Sequence, residues 1–198
     1  AAPQVATHNF RFSEDYDLYP SGAKTKYKNN VMAIKLLKQI ELEKRTATPE
    51  EQIILARYVG WGGLANAFSS TASGWENEYQ ELKSLLTDVE YKAAMNSTIT
   101  AYYTEPDLIR HIYRALERFG FEGGPDRKIL DPGMGTGNFY SVLPEQFQGS
   151  KLFGVELDSI TGRIAKQLYP DADISIMGYE ATKFEDNSFD VILGNIPF

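Results

Sequence analysis

The chain has 198 residues, 42% of them hydrophobic, a net charge of −7 and no cysteine; this suits one ordinary domain or two small ones with a packed core and excludes a disordered tail. Without thiols there is no disulfide framework, thiolate metal site or cysteine nucleophile in these residues, and the acidic balance argues against a broad phosphate-neutralising surface. No run approaches the roughly 18 apolar residues of a membrane span, and the opening AAPQVATHNF lacks the regions of a signal peptide, so a cytoplasmic location is expected.

Residues 1–28 show no steady period and read as an extended arm lying on the rest of the chain. Asn30 then reads as an N-cap for VMAIKLLKQIELEKR, which puts Val31, Ile34, Leu37 or Lys38 and Leu42 near one helical face. The lysines of KTKYKNN read as a solvated approach to that helix rather than a DNA track. A second helix is predicted in TPEEQIILARYVG, with Thr48 as N-cap, Pro49 at the first helical position, Glu51 closing a capping box and Gly60 as the stop. Trp61-Gly62-Gly63 is a tight turn whose indole is structural, and further helical pattern runs over 76–86 and 88–95. Residues 1–99 are thus expected to form an arm and an all-helical region. His8 and His111 have no nearby carboxylate or second histidine at ligand spacing and read as structural or solvated.

Residues 100–198 change rhythm. After the helix PDLIRHIYRALERFG, the short apolar runs KILDPG, KLFGVEL, DISIMGY and DVILGN alternate with helical or turn segments, with TGRIAKQLY as one crossover. That alternation predicts about four parallel strands in an α/β unit.

The first strand runs into DPGMGTGNF, a glycine loop ahead of a helix N-terminus, where a ligand can approach the backbone. A dinucleotide or S-adenosylmethionine are the ligands to weigh, beside a plain turn. A G-x-G-x-x-G count from Gly133 puts Asn138 at the third glycine, and Asp131 suits an ammonium group better than pyrophosphate. Glu156 ends the second strand, where an acid can hold two ribose hydroxyls or simply be solvated. Glu180 follows the third strand, where it can take an adenine amino group or be an ordinary loop glutamate. The fourth strand brings Asn195-Ile196-Pro197-Phe198 to the same edge.

In order and spacing these motifs resemble the S-adenosylmethionine-dependent amino-methyltransferases whose catalytic motif is Asn/Asp-Pro-Pro-Tyr/Phe. With YVGWGGLANAF and GVELDSITGRIAKQLYP, the chain resembles the large methylase-helicase proteins of bacterial mobile elements and phages. The resemblance covers residues 100–198. It implies a Rossmann-like class I methyltransferase sheet, of which this chain carries the cofactor half, with S-adenosylmethionine as cofactor and adenine in DNA as acceptor, as in restriction-modification. Carried over by position, YYTEPDLI places Tyr103, Thr104 and Pro106 at the methionine moiety. Asp131, Pro132, Gly133, Gly135, Gly137, Asn138 and Phe139 match the glycine loop, Glu156 and Leu157 the ribose site, and Glu180 the adenine side. Asn195, Ile196, Pro197 and Phe198 match the catalytic tetrapeptide; Ile196 replaces its first proline, and Glu105 separates Thr104 from Pro106. The motif order implies target recognition after the tetrapeptide, hence DNA contact mainly outside this chain and an isolated chain without turnover. A fourth strand with a free edge is expected to be covered by the arm or a second copy. The same tetrapeptide serves protein-glutamine methyltransferases, and a non-catalytic module binding cofactor or partner is the remaining alternative.

Overall fold

The computed structural model describes residues 8–19, 21–99 and 104–195. Among them the chain divides into two compact units: one holds residues 14–99, the other joins residues 8–13 to residues 104–195.

The first unit is helical: α1 (Ala23–Leu42), α2 (Pro49–Ala56), α3 (Glu76–Leu85) and α4 (Asp88–Asn96). Helix α2 starts as its sequence dictates. The Thr48 side chain accepts the Glu51 N–H, and the Glu51 carboxylate accepts the Thr48 N–H. Thr87 and Glu90 repeat that box at α4. Four expectations are corrected. Helix α1 begins at Ala23, and Asn30 lies inside it, fully buried, donating to Gly60 O at 2.5 Å and accepting from Val59 N–H at 2.9 Å. Those bonds satisfy the strand of chain that leaves α2, so α2 ends at Ala56 ahead of Gly60. The lysine-rich approach is helical because Tyr27 is buried against Trp61 and Trp75, while Lys24 pairs with Glu78 at 2.6 Å. Leu42 is exposed, leaving Val31, Ile34, Leu37 and Ile40 as the packed face. Trp61 is buried among Tyr27, Tyr58 and Phe68, as a structural indole should be.

The second unit is the α/β one, with α5 (Pro106–Arg118), β1 (Lys128–Asp131), α6 (Asn138–Ser141), β2 (Lys151–Glu156), α7 (Ser159–Leu168), β3 (Asp173–Ile176) and β4 (Val191–Ile192). All four strands are parallel, in the order β3-β2-β1-β4, a Rossmann-like arrangement. Ile129, Leu130, Leu152 and Val155 are buried along the central strands, as a sheet covered by helices requires. Helix α7 is capped by Asp158, whose carboxylate accepts Thr161 N–H at 2.8 Å and the Thr161 hydroxyl at 2.6 Å. The entry to β4 is fixed by Asp190, which pairs with Arg127 at 2.8 Å and accepts Lys128 N–H at 2.9 Å. The chain steps from β1 outward to β2 and β3, then returns to the other side of β1. The reversal creates a crevice at the carboxyl ends of β1 and β4, the place where open α/β sheets bind ligands. Among the described residues β4 is an edge strand that pairs with β1. The backbone of the arm hydrogen-bonds to the ends of α6 and α7, so these bonds do not cover the β4 edge as expected.

Candidate cofactor site

Asp131 closes β1 with its side chain buried, its Oδ1 accepting Gly133 N–H at 3.2 Å. On the neighbouring strand, just past β4, stands Gly194, where an added Cβ would lie 2.5 Å from that same oxygen. The absence of a side chain at 194 therefore makes room for the carboxyl beneath the turn that leads to Asn195. Burial pushes the Asp131 carboxyl up to about 7; the charge of Glu156 adds to the shift, and the Gly133 N–H opposes it.

The glycine loop is seated on β2. Met134 N–H donates to Val155 O at 3.0 Å, and the Met134 thioether fills the space a side chain on Gly154 would need. Gly135 and Gly137 have φ of 56° and 85°, the left-handed region open to glycine. A Cβ on Gly137 would sit 2.3 Å from the ring of Tyr169, so this glycine is demanded by the chain's own packing as well. Glu156, at the end of β2, accepts Gly135 N–H at 2.8 Å on Oε2 and Asp158 N–H at 2.7 Å on Oε1. Burial raises its pKa, partly offset by those N–H bonds.

The upstream motif arrives at the same loop. Asn138 Nδ2 donates to Thr104 O at 3.2 Å, and Pro106 is buried at the first turn of α5. The Thr104 hydroxyl is buried with no hydrogen-bond partner among the described residues. Pro132 and Gly133 are half-buried at the loop's start. Phe139 packs into the core, its carbonyl accepting the Tyr113 hydroxyl at 2.9 Å. Leu157 is 75% exposed just beyond Glu156. Glu180 is exposed in the short turn 179–181, its carboxylate folded over Gly178. Asn195 is exposed at the end of β4's extension, where Leu193 N–H still bonds Leu130 O at 2.9 Å. Tyr103, Ile196, Pro197 and Phe198 lie outside the described residues.

The sheet thus brings Asp131, the glycine loop and Glu156 to one edge, with Thr104 behind the loop and Asn195 one strand away. Residues 130–195 match the methyltransferase-domain family. The methyltransferase domain to which residues 130–195 are similar points to S-adenosylmethionine as the cofactor. The residues present fit it. Left-handed glycines leave the loop backbone open, the Glu156 carboxylate beside them keeps acceptor capacity, and the buried Thr104 hydroxyl has no partner among the described residues.

The chain is also similar to two curated proteins and to one solved structure. "Defense against restriction protein B" of Escherichia phage P1 is 27% identical over 85% of this chain and 6% of its own length. "Modification methylase CviBIII" of Paramecium bursaria Chlorella virus NC1A is 32% identical over 39% of this chain and 21% of its own. A solved TehB-like SAM-dependent methyltransferase from Corynebacterium glutamicum is 25% identical over 46% of this chain and 54% of its own, with a TM-score of 0.31. The chain therefore spans about a fifth or less of the two curated relatives.

Sequence reasoning passed over Gly194, Tyr169 and Asp158. The signals were a glycine immediately before the tetrapeptide, an aromatic closing the crossover helix and an Asp-Ser helix start; what each touches is set by tertiary structure. Among the described residues there is no cluster of metal-ligating side chains and no helix long and apolar enough to cross a membrane.

Proposed function

We propose that this chain is the cofactor-binding half of a DNA adenine-N6 methyltransferase. The observation that carries the reading is that Asp131, the glycine loop and Glu156 meet at the crevice that Asn195 borders from β4. Bound there, S-adenosylmethionine supplies an electrophilic methyl group on a sulfonium. On the chain's side, the Asn195 amide oxygen and, by the resemblance, the Ile196 carbonyl would accept the two N–H bonds of the amino group, concentrating its lone pair on nitrogen. Phe198 offers a face on which an extruded base stacks.

Adenine in DNA is favoured over a glutamine side chain because the two curated relatives are named for restriction and for modification. With a net charge of −7, this chain leaves most phosphate neutralisation to regions outside it. A binding module without turnover is the second reading, supported by Ile196 where the motif has a stiffening proline.

Titration calorimetry with S-adenosylhomocysteine tests the site, and transfer of labelled methyl groups to unmodified DNA or to a glutamine peptide tests the acceptor. Saturable binding lost on Asp131→Ala is expected. No binding at millimolar ligand would sink the cofactor site, and methylation of the peptide in preference to DNA would overturn the acceptor.

A further inference from the structure

Residues 8–13 belong to the α/β unit although the helical unit follows them in the chain. Alternate N–H groups of an extended segment point the same way, and here they meet two helix ends. Phe10 N–H donates to Leu168 O at 2.7 Å and Phe12 N–H to Ser141 O at 2.9 Å. Leu168 is the last residue of α7 and Ser141 the last of α6. Their carbonyls are among the terminal groups a helix cannot satisfy by itself, and both residues are buried. Asn9 Oδ1 accepts Asp171 N–H at 3.0 Å, just past α7. Phe10 is buried, and the Arg110 guanidinium of α5 stands 5.4 Å from the centre of the Phe12 ring.

One short segment thus ties together α5, α6 and α7. Helix α6 is a single turn, so its two ends cannot move independently. At its start Asn138 holds Thr104 O, and Ser141 Oγ at its end donates back to Asn138 O at 2.7 Å. The amides of Tyr140 and Ser141 both donate to Gly137 O, at 2.9 and 3.1 Å. A displacement of the Ser141 carbonyl is therefore passed to the glycine loop through a contiguous set of bonds.

We infer that residues 9–12 are a positioning arm of the cofactor site: by seating α6 they set the geometry of Gly137, Asn138 and Thr104, and so the affinity of the site for S-adenosylmethionine. The inference rests on the cofactor reading above. It makes the methyltransferase unit discontinuous in sequence, completed by chain that precedes the helical unit.

The test uses the 198-residue chain. Phe12→Pro removes one donor, Phe10→Ala empties a buried position, and Phe10→Leu is the conservative control. Affinity for S-adenosylhomocysteine is read by calorimetry and amide exchange by NMR. Phe12→Pro and Phe10→Ala are expected to weaken binding about fivefold or more and to quicken exchange at Tyr140 and Ser141, while Phe10→Leu stays near the parent. By reciprocity, saturating ligand slows exchange at Phe10 and Phe12 in the parent. Parental affinity in both disruptive variants, with circular dichroism unchanged, overturns the arm. A parent chain that binds no ligand refutes the site; the arm is then judged at Tyr140 and Ser141, and parental exchange there in both variants overturns it.

Discussion

Glu156 Oε2 accepts the Gly135 N–H at 2.8 Å, and this one bond ties the end of β2 to the glycine loop of β1. Its other oxygen accepts Asp158 N–H at 2.7 Å, so both oxygens are engaged by backbone. A carboxylate has lone pairs to spare beyond these two bonds, and on the proposed reading those would accept ribose hydroxyls. Glu156→Ala is expected to weaken S-adenosylhomocysteine binding by about 1 to 3 kcal/mol and to lower stability by a similar amount. Glu156→Gln keeps an acceptor for one amide, and should regain more of the stability than of the affinity. Equal recovery of both in calorimetry and thermal melts would assign Glu156 to the loop alone.

Asp131 makes stability depend on pH. Its carboxyl is raised from 3.8 to about 7 in the folded chain, so the folded state binds this proton more tightly than the unfolded state does. The resulting stabilisation is complete below 3.8 and is lost as pH rises through about 7. Asp131→Asn removes that dependence. Its advantage over the parent should grow from pH 4 to pH 8 by up to about 4 kcal/mol, read in denaturant melts at each pH. Parallel curves would show that Asp131 is ionised in the fold throughout.

Gly137 is held between a left-handed backbone and the Tyr169 ring. Gly137→Ala meets both at once, φ of 85° and a ring atom 2.3 Å from the new carbon. A loss of about 2 kcal/mol or more is expected. Adding Tyr169→Ala should return the steric part and leave the backbone part, giving a non-additive cycle. Simple additivity in the four melting curves would place the cost in the backbone alone.

Asn30 is the matching test in the helical unit. Asn30→Ala strands the buried Gly60 carbonyl and the Val59 amide, at about 2 to 4 kcal/mol. A surface cap at that position would cost about 1 kcal/mol or less. The denaturant midpoint of the variant decides between them.

Asn30 also shows where local reading stops. The residue type suits a cap and a buried clamp equally, and its partners lie 30 and 29 positions away. The Thr48-Pro49-Glu51 start was legible because all of its bonds fall within one turn. The four strands were legible for a related reason: KILD, KLFGVE and DISI are bounded by turn residues and buried by pattern. Strand order was not, since the return of β4 to the far side of β1 leaves no mark in any short stretch. At the candidate site the acids could be placed at strand ends from sequence. That Glu156 grips Gly135, and that Gly194 makes room for Asp131, depend on neighbouring strands.

The arm imposes an order of events on biosynthesis. Asn9 and its partner Asp171 are 162 residues apart in the chain. At about 5–20 residues per second, the arm leaves the ribosome roughly 8 to 30 s before its docking ground exists. Through that interval the helical unit, whose contacts are local, can form while Phe10 remains in water. The arm is thus made well before the helices it docks on and is placed only after them, when the two ends of this long loop close.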